Sequence, residues 1–447
     1  MELFGTAGVR GGVDRVRPEL VVRVCRAAAR AAGPDPTFVV GRDGRTTGAG
    51  LAAAATAGLT AGGADVRRVG RVPTPVLAFA SRGRRGAMVT ASHNPPADNG
   101  LKLFADGVEY DADAEAAVEA GVDDGGQVDW TAWGEVAHEE PLEDYLSALV
   151  AHAGGHGAAP DGCRVVVDAG NGVGARTTPA VLRALGADVA TLNGGIDGHF
   201  PGRAPKPTRE SLADLRAFLA DDPDADLGVA HDGDADRIVV LDGDGGVVDR
   251  NTVLAVLAEH YVRRSDAEDP VVVTTPDTSA RVDERVDAAR GRVERVRLGA
   301  IHEGVADSDG TVVFAAEPWK HLHPAWGGWI DGAASAAVLT RLVAAEGLDA
   351  LRAPVTERPY RKLSVDAPDD RKLAVVADLR DRLPAAFPEA EATFEHGIRL
   401  DRPDGSWLLV RPSGTEPKIR VYVESDDVET LAERATGLVA AAVEEGG

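Results

Sequence analysis

The chain has 447 residues, 44% of them hydrophobic and 27% charged, so it is globular rather than disordered and long enough for three or four domains. Its 72 acidic and 48 basic side chains give a formal net charge of −24, which excludes a general binder of phosphodiester backbones or anionic membranes. Only six of the basic residues are Lys (Lys102, Lys206, Lys320, Lys362, Lys372 and Lys418). An Asp-rich, Ala-rich, Lys-poor chain fits a halophile's salt-filled cytoplasm, where salt screens the self-repulsion. Cys25 and Cys163 sit far apart in apolar surroundings, the usage of a reduced cytosolic protein without disulfides or zinc. Glu2 stands where a signal peptide would be basic, so a cytoplasmic protein is expected.

In chain order, a Gly-rich start, Phe4-Gly-Thr-Ala-Gly-Val-Arg-Gly-Gly12, carries one charged residue, Arg10. The pattern then predicts a helix near Pro18–Ala32, a strand at Thr37–Val40, a helix at Gly48–Ala61, and strands around Asp65–Val69 and Gly86–Val89. The charge-free run Thr46–Ala64 has only two Leu, too weakly apolar for a bilayer, and reads as a packed helix. Directly after the third strand comes Thr90-Ala-Ser-His-Asn-Pro-Pro-Ala-Asp-Asn-Gly-Leu-Lys102. Ser92 stands at a strand-to-loop corner beside His93, and Lys102 returns a cation ten residues later. Polar runs after apolar strands are where open α/β sheets bind ligands, although a capped Pro-rich turn would look similar.

The pattern restarts with strand Cys163–Val167, a turn at 168–172, helix Thr178–Leu185 and strand Ala187–Leu192. Gly63-Ala-Asp-Val66 recurs as Gly186-Ala-Asp-Val189, which suggests a repeated α/β unit of domain size. Next comes Val229-Ala-His-Asp-Gly-Asp-Ala-Asp-Arg-Ile238. On an extended segment, alternation puts the carboxylates of Asp232, Asp234 and Asp236 on one side, where they repel unless a cation sits among them. Hard oxygen ligands favour Mg²⁺. The spacing fails as an EF-hand, because Arg237 and Gly243 occupy its Gly and Glu positions. The downstream run 242–246 reads as a hairpin turn instead.

A third restart is predicted as strand Pro270–Thr275, helix Ser279–Ala289 and strand Arg292–Arg297. The tail from Lys362 reads as a strand, a helix at Arg371–Leu383, two strands within Ala392–Val410, a strand at Ile419–Glu424 and a helix at Val428–Val443. Within it, Arg411-Pro-Ser-Gly-Thr-Glu-Pro-Lys-Ile-Arg420 packs Ser413, Gly414, Thr415 and the cations Arg411, Lys418 and Arg420 into ten residues. That composition suits a phosphate cradle; the plain alternative is a surface turn.

Together these segments resemble the α-D-phosphohexomutase family (phosphoglucomutase, phosphomannomutase and phosphoglucosamine mutase), with a composition pointing to a haloarchaeal member. The resemblance runs from Phe4 to the last strands. It implies an α/β fold, with three tandem α/β/α domains of similar plan (1–141, 142–245 and 246–355) and a smaller C-terminal α+β domain (360–447) around a central cleft. It implies that Ser92 carries a phosphoryl group and joins Asp232, Asp234 and Asp236 on Mg²⁺. Arg10, Lys102 and Arg237 then line the reacting centre, with Lys102 as first and His93 as second candidate for acid–base work. The reaction implied is exchange of hexose 1-phosphate and hexose 6-phosphate through a hexose 1,6-bisphosphate, and 411–420 holds the non-reacting phosphate.

The sugar loop departs from the family pattern Gly-Glu-x-Ser-Gly-His. Here it reads Ala316-Glu-Pro-Trp-Lys-His321. Glu317 and His321 keep their places for sugar hydroxyls, while Trp319 is read either as stacking on the sugar or as packing with Trp326 and Trp329. Lys320 is placed to reach a phosphate, and the basic residue usual near Ile301 is missing, its role either passing to His302 or Lys320 or being absent. The wording of the first and last motifs makes glucosamine phosphate the first expectation and mannose or glucose phosphate the next. Partners are small sugar phosphates, not nucleic acid or membrane, for a monomer or homodimer. Two rival readings are an Asp-dependent phosphatase and a non-catalytic sugar-phosphate sensor.

Overall fold

In a computed structural model, residues 3–5, 8–414 and 416–445 are described, and among them the strands form four sheets. The first sheet is built from β1 (Val9–Gly11), β2 (Thr37–Arg42), β3 (Asp65–Arg71), β4 (Arg85–Val89), β5 (Asn99–Ala105), β6 (Val108–Glu109) and β7 (Val136–His138). Its helices are α1 (Pro18–Ala31), α2 (Gly48–Ala61), α3 (Thr74–Ala80) and α4 (Ala112–Gly121). The order is β1-β5-β4-β2-β3-β7, with β6 beside β5. β4, β2, β3 and β7 run parallel, whereas β5 runs antiparallel to both β4 and β1.

The Ala, Gly and Thr run becomes α2, packed on α1. A Cβ at Gly58 would lie 2.4 Å from the Val22 carbonyl and 3.0 Å from the Cys25 Cβ. Small residues therefore let the two backbones touch, and Cys25 is sealed beneath them. The core of this layer comprises Val21, Val24, Phe38, Leu59, Val89, Leu101 and Leu103, among others.

The second sheet has α5 (Leu142–Gly154), β8 (Arg164–Asp168), α6 (Thr178–Leu185), β9 (Asp188–Leu192), α7 (Ala213–Asp221), β10 (Leu227–Ala230) and β11 (Val239–Asp242). The order is β11-β10-β8-β9, parallel except for β11. The run 242–246 is the expected turn, closed by Gly245 N–H to the Asp242 carbonyl. The third α/β stretch has α8 (Arg250–Arg264), β12 (Pro270–Thr274), α9 (Ala280–Ala288), β13 (Arg292–Arg295), α10 (Ile301–Asp307) and β14 (Thr311–Glu317), with β13 and β14 parallel to β12. There follow β15 (Lys320–Leu322), α11 (Gly332–Glu346) and α12 (Leu348–Arg352).

The last sheet is antiparallel: β16 (Tyr360–Asp366), β17 (Glu391–Thr393), β18 (Ile398–Asp401), β19 (Trp407–Pro412) and β20 (Lys418–Glu424), in the order β16-β20-β19-β18-β17. It is covered by α13 (Lys372–Ala386) and α14 (Val428–Glu445) around Leu379, Leu408, Val421 and Val439. The span 391–412 holds three strands rather than the expected two, because turns at 394–397 and 402–406 fold it back twice. The fold class is thus α/β layers followed by a smaller α+β sheet. No helix among the described residues is long and apolar enough to cross a membrane.

By density of contacts the chain divides into two units, 1–250 with 319–351, and 251–318 with 352–447. The segments around Ser92 and Asp232 belong to the first, and 411–420 belongs to the second.

Gly58→Ala tests the helix contact. Helix propensity favours Ala by about 1 kcal/mol, but overpacking against fixed backbone costs about 1–3 kcal/mol. A lower urea midpoint is expected; an unchanged or raised midpoint would mean that α1 and α2 do not meet there.

Candidate active site

Ser92 lies just past the C-terminal end of β4, in a loop that is folded back by β5. The Thr90 N–H donates to the Gly100 carbonyl, so the strand pair extends to the edge of the loop. Ser92 is fully buried, with φ of +51°. That left-handed conformation costs a non-glycine residue about 1–2 kcal/mol, and residues held there cluster at functional sites. Its Oγ donates to Asp232 Oδ2 at 2.6 Å and lies 3.3 Å from His93 Nδ1.

The three aspartates follow β10. They do not stand on an extended segment, as the alternation suggested. Residues 231–236 form a turn, with Ala235 at φ +60°. The turn is bracketed by His231, whose Nδ1 contacts the Arg237 carbonyl at 2.7 Å and whose Nε2 contacts Thr178 Oγ1 at 2.8 Å. Curling the chain draws one oxygen of each of Asp232, Asp234 and Asp236 to within 4.8 Å of the others. Gly233 allows the approach to Ser92, since a Cβ there would lie 2.7 Å from the Ser92 carbonyl oxygen.

The carboxylates are buried, and each is engaged on one side. Asp234 Oδ2 accepts from Thr74 Oγ1 at 2.7 Å, and Asp236 Oδ2 accepts from Lys102 Nζ at 2.8 Å. Asp234 Oδ1 and Asp236 Oδ1 are buried without a hydrogen-bond partner. Burial, then Asp236 and Asp234, raise the pKa of Asp232, whereas for Asp236 the burial penalty is outweighed by Lys102, Arg237 and Lys320, and its pKa falls. Two open hard oxygens, a third carboxylate against a serine hydroxyl and mutual repulsion make a set that fits a divalent cation such as Mg²⁺.

Cations converge on the same place. Lys102, in β5 beside Leu101 and Leu103 of the core, projects to the opposite face and also donates to Glu109 Oε1 at 3.1 Å. Burial works against its charge, yet Asp236, Glu109 and Asp234 outweigh burial and raise its pKa. Lys102 is therefore an ammonium, not the neutral base that a lowered pKa would have supplied. Arg237 Nε lies 3.7 Å from Asp232 and 3.8 Å from Asp236. Burial, Arg237 and Arg10 lower the pKa of His93 to about 3, so its imidazole is neutral. Arg10 stands in β1 opposite Gly100, and its Nε is buried without a hydrogen-bond partner.

The altered sugar loop divides. Trp319 packs against the second layer's core (Leu212, Leu215, Ala230), under the Arg250 guanidinium 5.6 Å from its ring, and its carbonyl accepts from the Ile238 N–H. Trp326 and Trp329 are elsewhere, in an aromatic cluster with Phe79 and Tyr145, their indole N–H groups donating to Asp331. The three tryptophans therefore do not pack as one group. Lys320, next to the anchored Trp319, acts electrostatically on Asp236. His321 is buried with Nδ1 3.0 Å from Ser335 Oγ, and burial lowers its pKa to about 3. Glu317 belongs to the second unit, where it accepts from the Gly299 N–H at 2.8 Å.

Also in the second unit, Arg411 and Arg420 stand directly opposite each other on β19 and β20, a like-charge pair that an anion would relieve. Arg411 donates to Tyr422 Oη at 2.7 Å, and Arg420 pairs with Glu416. The turn between the strands is shaped by Lys372, whose Nζ donates to the Ser413 and Glu416 carbonyls, and by Ser413 N–H to the Lys418 carbonyl. Gly414 is exposed, Lys418 is half-buried, and Thr415 lies outside the described residues.

Sequence reasoning missed Asp43, Arg45, Thr74 and Glu109. The polar run Gly41-Arg-Asp-Gly-Arg45 follows an apolar strand, the criterion that singled out Ser92, and would have flagged the first two. Thr74 and Glu109 gave no such signal.

Three family descriptions match in order: phosphoglucomutase/phosphomannomutase α/β/α domain I at residues 1–129, α/β/α domain II at 143–245, and the C-terminal domain at 367–441. Over 434 residues the chain is 38% identical to a phosphopentomutase from Thermococcus kodakarensis, covering 95% of this chain and 94% of that one. The chain belongs to the α-D-phosphohexomutase family. It is likewise 38% identical, over 443 residues and 96% of its length, to a Methanopyrus kandleri protein named probable phosphoglucosamine mutase, of which 95% is covered. The solved structure of a phosphoglucomutase/phosphomannomutase family protein from Burkholderia thailandensis superposes with a TM-score of 0.87 at 26% identity, covering 98% of this chain and 97% of that one. This phosphohexomutase family member is thus an enzyme, a phosphotransferase of the isomerase kind.

If the aspartates hold a divalent cation, Mg²⁺ stabilises the folded chain by about 2.7 kcal/mol at a hundredfold excess over its dissociation constant. A rise in melting temperature with added Mg²⁺ is expected, and Asp234→Asn should abolish most of it. An equal rise in the variant would place the metal elsewhere.

Proposed function

We propose that the enzyme interconverts hexose 1-phosphates and hexose 6-phosphates, glucosamine phosphate first and mannose or glucose phosphate next, by way of phospho-Ser92 and a hexose 1,6-bisphosphate. The observation that carries the reading is the Ser92 hydroxyl, buried 2.6 Å from a carboxylate of a three-aspartate turn and ringed by cations. Ser92 offers the oxygen that carries the phosphoryl group between substrates, and Asp232, Asp234 and Asp236 hold Mg²⁺. When bound, the ion neutralises charge on the phosphoryl oxygens in a loose transition state.

In the first half-reaction the Ser92 Oγ–P bond breaks as a P–O bond forms to a hydroxyl of the sugar monophosphate. The hydroxyl proton passes to the site's acceptor, a role that the neutral His93 fits better than the charged Lys102. The bisphosphate turns over and returns its other phosphoryl group to Ser92 Oγ; that P–O bond breaks and the sugar oxygen regains a proton. Arg10, Arg237 and the Lys102 ammonium stabilise the moving charge. Lys320 serves the reacting phosphate in place of the missing basic residue near Ile301. Glu317 and His321 select the sugar, Trp319 sets the course of the loop, and Arg411, Ser413, Gly414, Thr415, Lys418 and Arg420 hold the other phosphate. The four domains proposed are 1–141, 142–245, 246–355 and 360–447. The phosphatase reading is less well supported, because Asp232, Asp234 and Asp236 are each engaged by Ser92, Thr74 or Lys102.

Initial rates on the 1-phosphates of glucosamine, mannose, glucose and ribose test the substrate, with Mg²⁺, a trace of hexose 1,6-bisphosphate and molar KCl. Glucosamine 1-phosphate should give the highest kcat/KM; preference for ribose would assign a pentose phosphate instead. Ser92→Ala should cut turnover by about 10³-fold or more in a folded protein. Near-normal turnover in that variant would sink the phosphoserine mechanism.

A further inference from the structure

Arg45 follows β2 and is 1% exposed, yet it touches no part of the carboxylate cluster. A guanidinium has five N–H donors in a fixed fork, and here all of them are used. Nε donates to Asp43 Oδ2 at 3.0 Å. Nη1 donates to the carbonyls of Pro95 at 2.6 Å and Asp98 at 2.9 Å, and Nη2 to those of Ser92 and Asn94, both at 2.8 Å. One side chain thus binds four carbonyls of the loop that carries Ser92. Its partner Asp43 acts on the other side of the same residue. Asp43 Oδ2 accepts from Thr90 Oγ1 at 2.8 Å, and Thr90 Oγ1 accepts from the Ser92 N–H at 2.9 Å. Both peptide groups that flank the Ser92 Cα are therefore fastened to a single buried ion pair, with the Phe200 ring 5.2 Å from the guanidinium carbon.

We infer that the Asp43–Arg45 pair is a positioning device for phosphoryl transfer, holding Ser92 in the left-handed backbone conformation that aims its Oγ at Asp232. This rests on the proposed role of Ser92 as the phosphoryl carrier. A buried cation that served only to balance Asp43 would need its charge. One that shapes the loop needs the fork, because a Lys has three donors on one atom and cannot reach four separate carbonyls. The functional consequence is selective: a displaced Ser92 loses alignment with the phosphoryl group, and misplacement by about 1 Å costs on the order of 10²-fold in rate. Substrate affinity, set by other residues, stays the same.

The test uses Arg45→Lys in the full chain, with Thr90→Val as a second variant that leaves the arginine in place. Three quantities are read: amide exchange across 90–100, the rate at which hexose 1,6-bisphosphate phosphorylates Ser92 (by intact mass), and kcat and KM with the best sugar 1-phosphate. In Arg45→Lys, exchange across 90–100 should rise about tenfold or more, beyond any rise in the rest of the chain. Phosphorylation and kcat should fall on the order of 10²-fold, with KM within about twofold. Thr90→Val should move all three in the same direction by less, and it decides the matter if Arg45→Lys does not fold. Unchanged exchange overturns the inference whatever the activity. Raised exchange with normal phosphorylation overturns it too, and leaves the mutase reading standing. If the wild-type chain takes no phosphoryl group, the mutase reading fails, and the exchange result alone decides whether the pair shapes the loop.

Discussion

Three carboxylates buried within 4.8 Å of one another cannot stand alone in a protein interior. Much of the first unit can be understood as the answer to that repulsion. Lys102 reaches across from β5 to Asp236, Thr74 from the start of α3 to Asp234, and Ser92 from the loop after β4 to Asp232. Arg237, next to Asp236 in the chain, and Lys320, on β15, add positive charge. The compensation is incomplete by design of the donor set: two oxygens keep no hydrogen-bond partner. That donor set fits a divalent cation.

The same charge distribution explains the roles of the titrating groups. Lys102, enclosed by carboxylates, stays charged, while His93, next to Ser92, is kept neutral by burial and then by Arg237 and Arg10. Two basic side chains in one site are thus driven in opposite directions, one by neighbouring carboxylates and the other chiefly by burial. The β19–β20 hairpin of the second unit shows a related constraint. Arg411 and Arg420 are forced opposite each other by the β19–β20 register, and such a pair is best satisfied by an anion.

Backbone geometry is what brings these charges together. Ser92 at φ +51° and Ala235 at φ +60° are both non-glycine residues in a costly conformation, each at the tip of a loop after a strand. The Ser92 carbonyl accepts from Arg45 and the Ser92 N–H donates to Thr90 Oγ1, which in turn donates to Asp43, and Gly233 leaves the gap through which the two tips approach. The restraint is thus distributed over segments separated by more than a hundred residues in sequence.

From residues alone it was possible to determine the fold class, the helices Gly48–Ala61 and Thr178–Leu185 to their ends, and the motifs holding Ser92, Asp232–Asp236 and 411–420. These are local signals: helix periodicity, strand-to-loop transitions and dense polar composition write themselves into short stretches. Partnership between distant segments does not. Nothing near Lys102 announces Glu109 and Asp236 as the groups that keep it charged, and nothing near Arg45 announces four carbonyls fifty residues away. The turn at 231–236 replaced an extended strand because His231 ties itself to the Arg237 carbonyl, a closure that alternation cannot foresee. Trp319 parted from Trp326 and Trp329 because it packs on the second layer's core, whereas the other two share an aromatic cluster. Residue types determined which chemistry was available; only tertiary packing decided which groups face one another, and charge and conformation at the site follow from that.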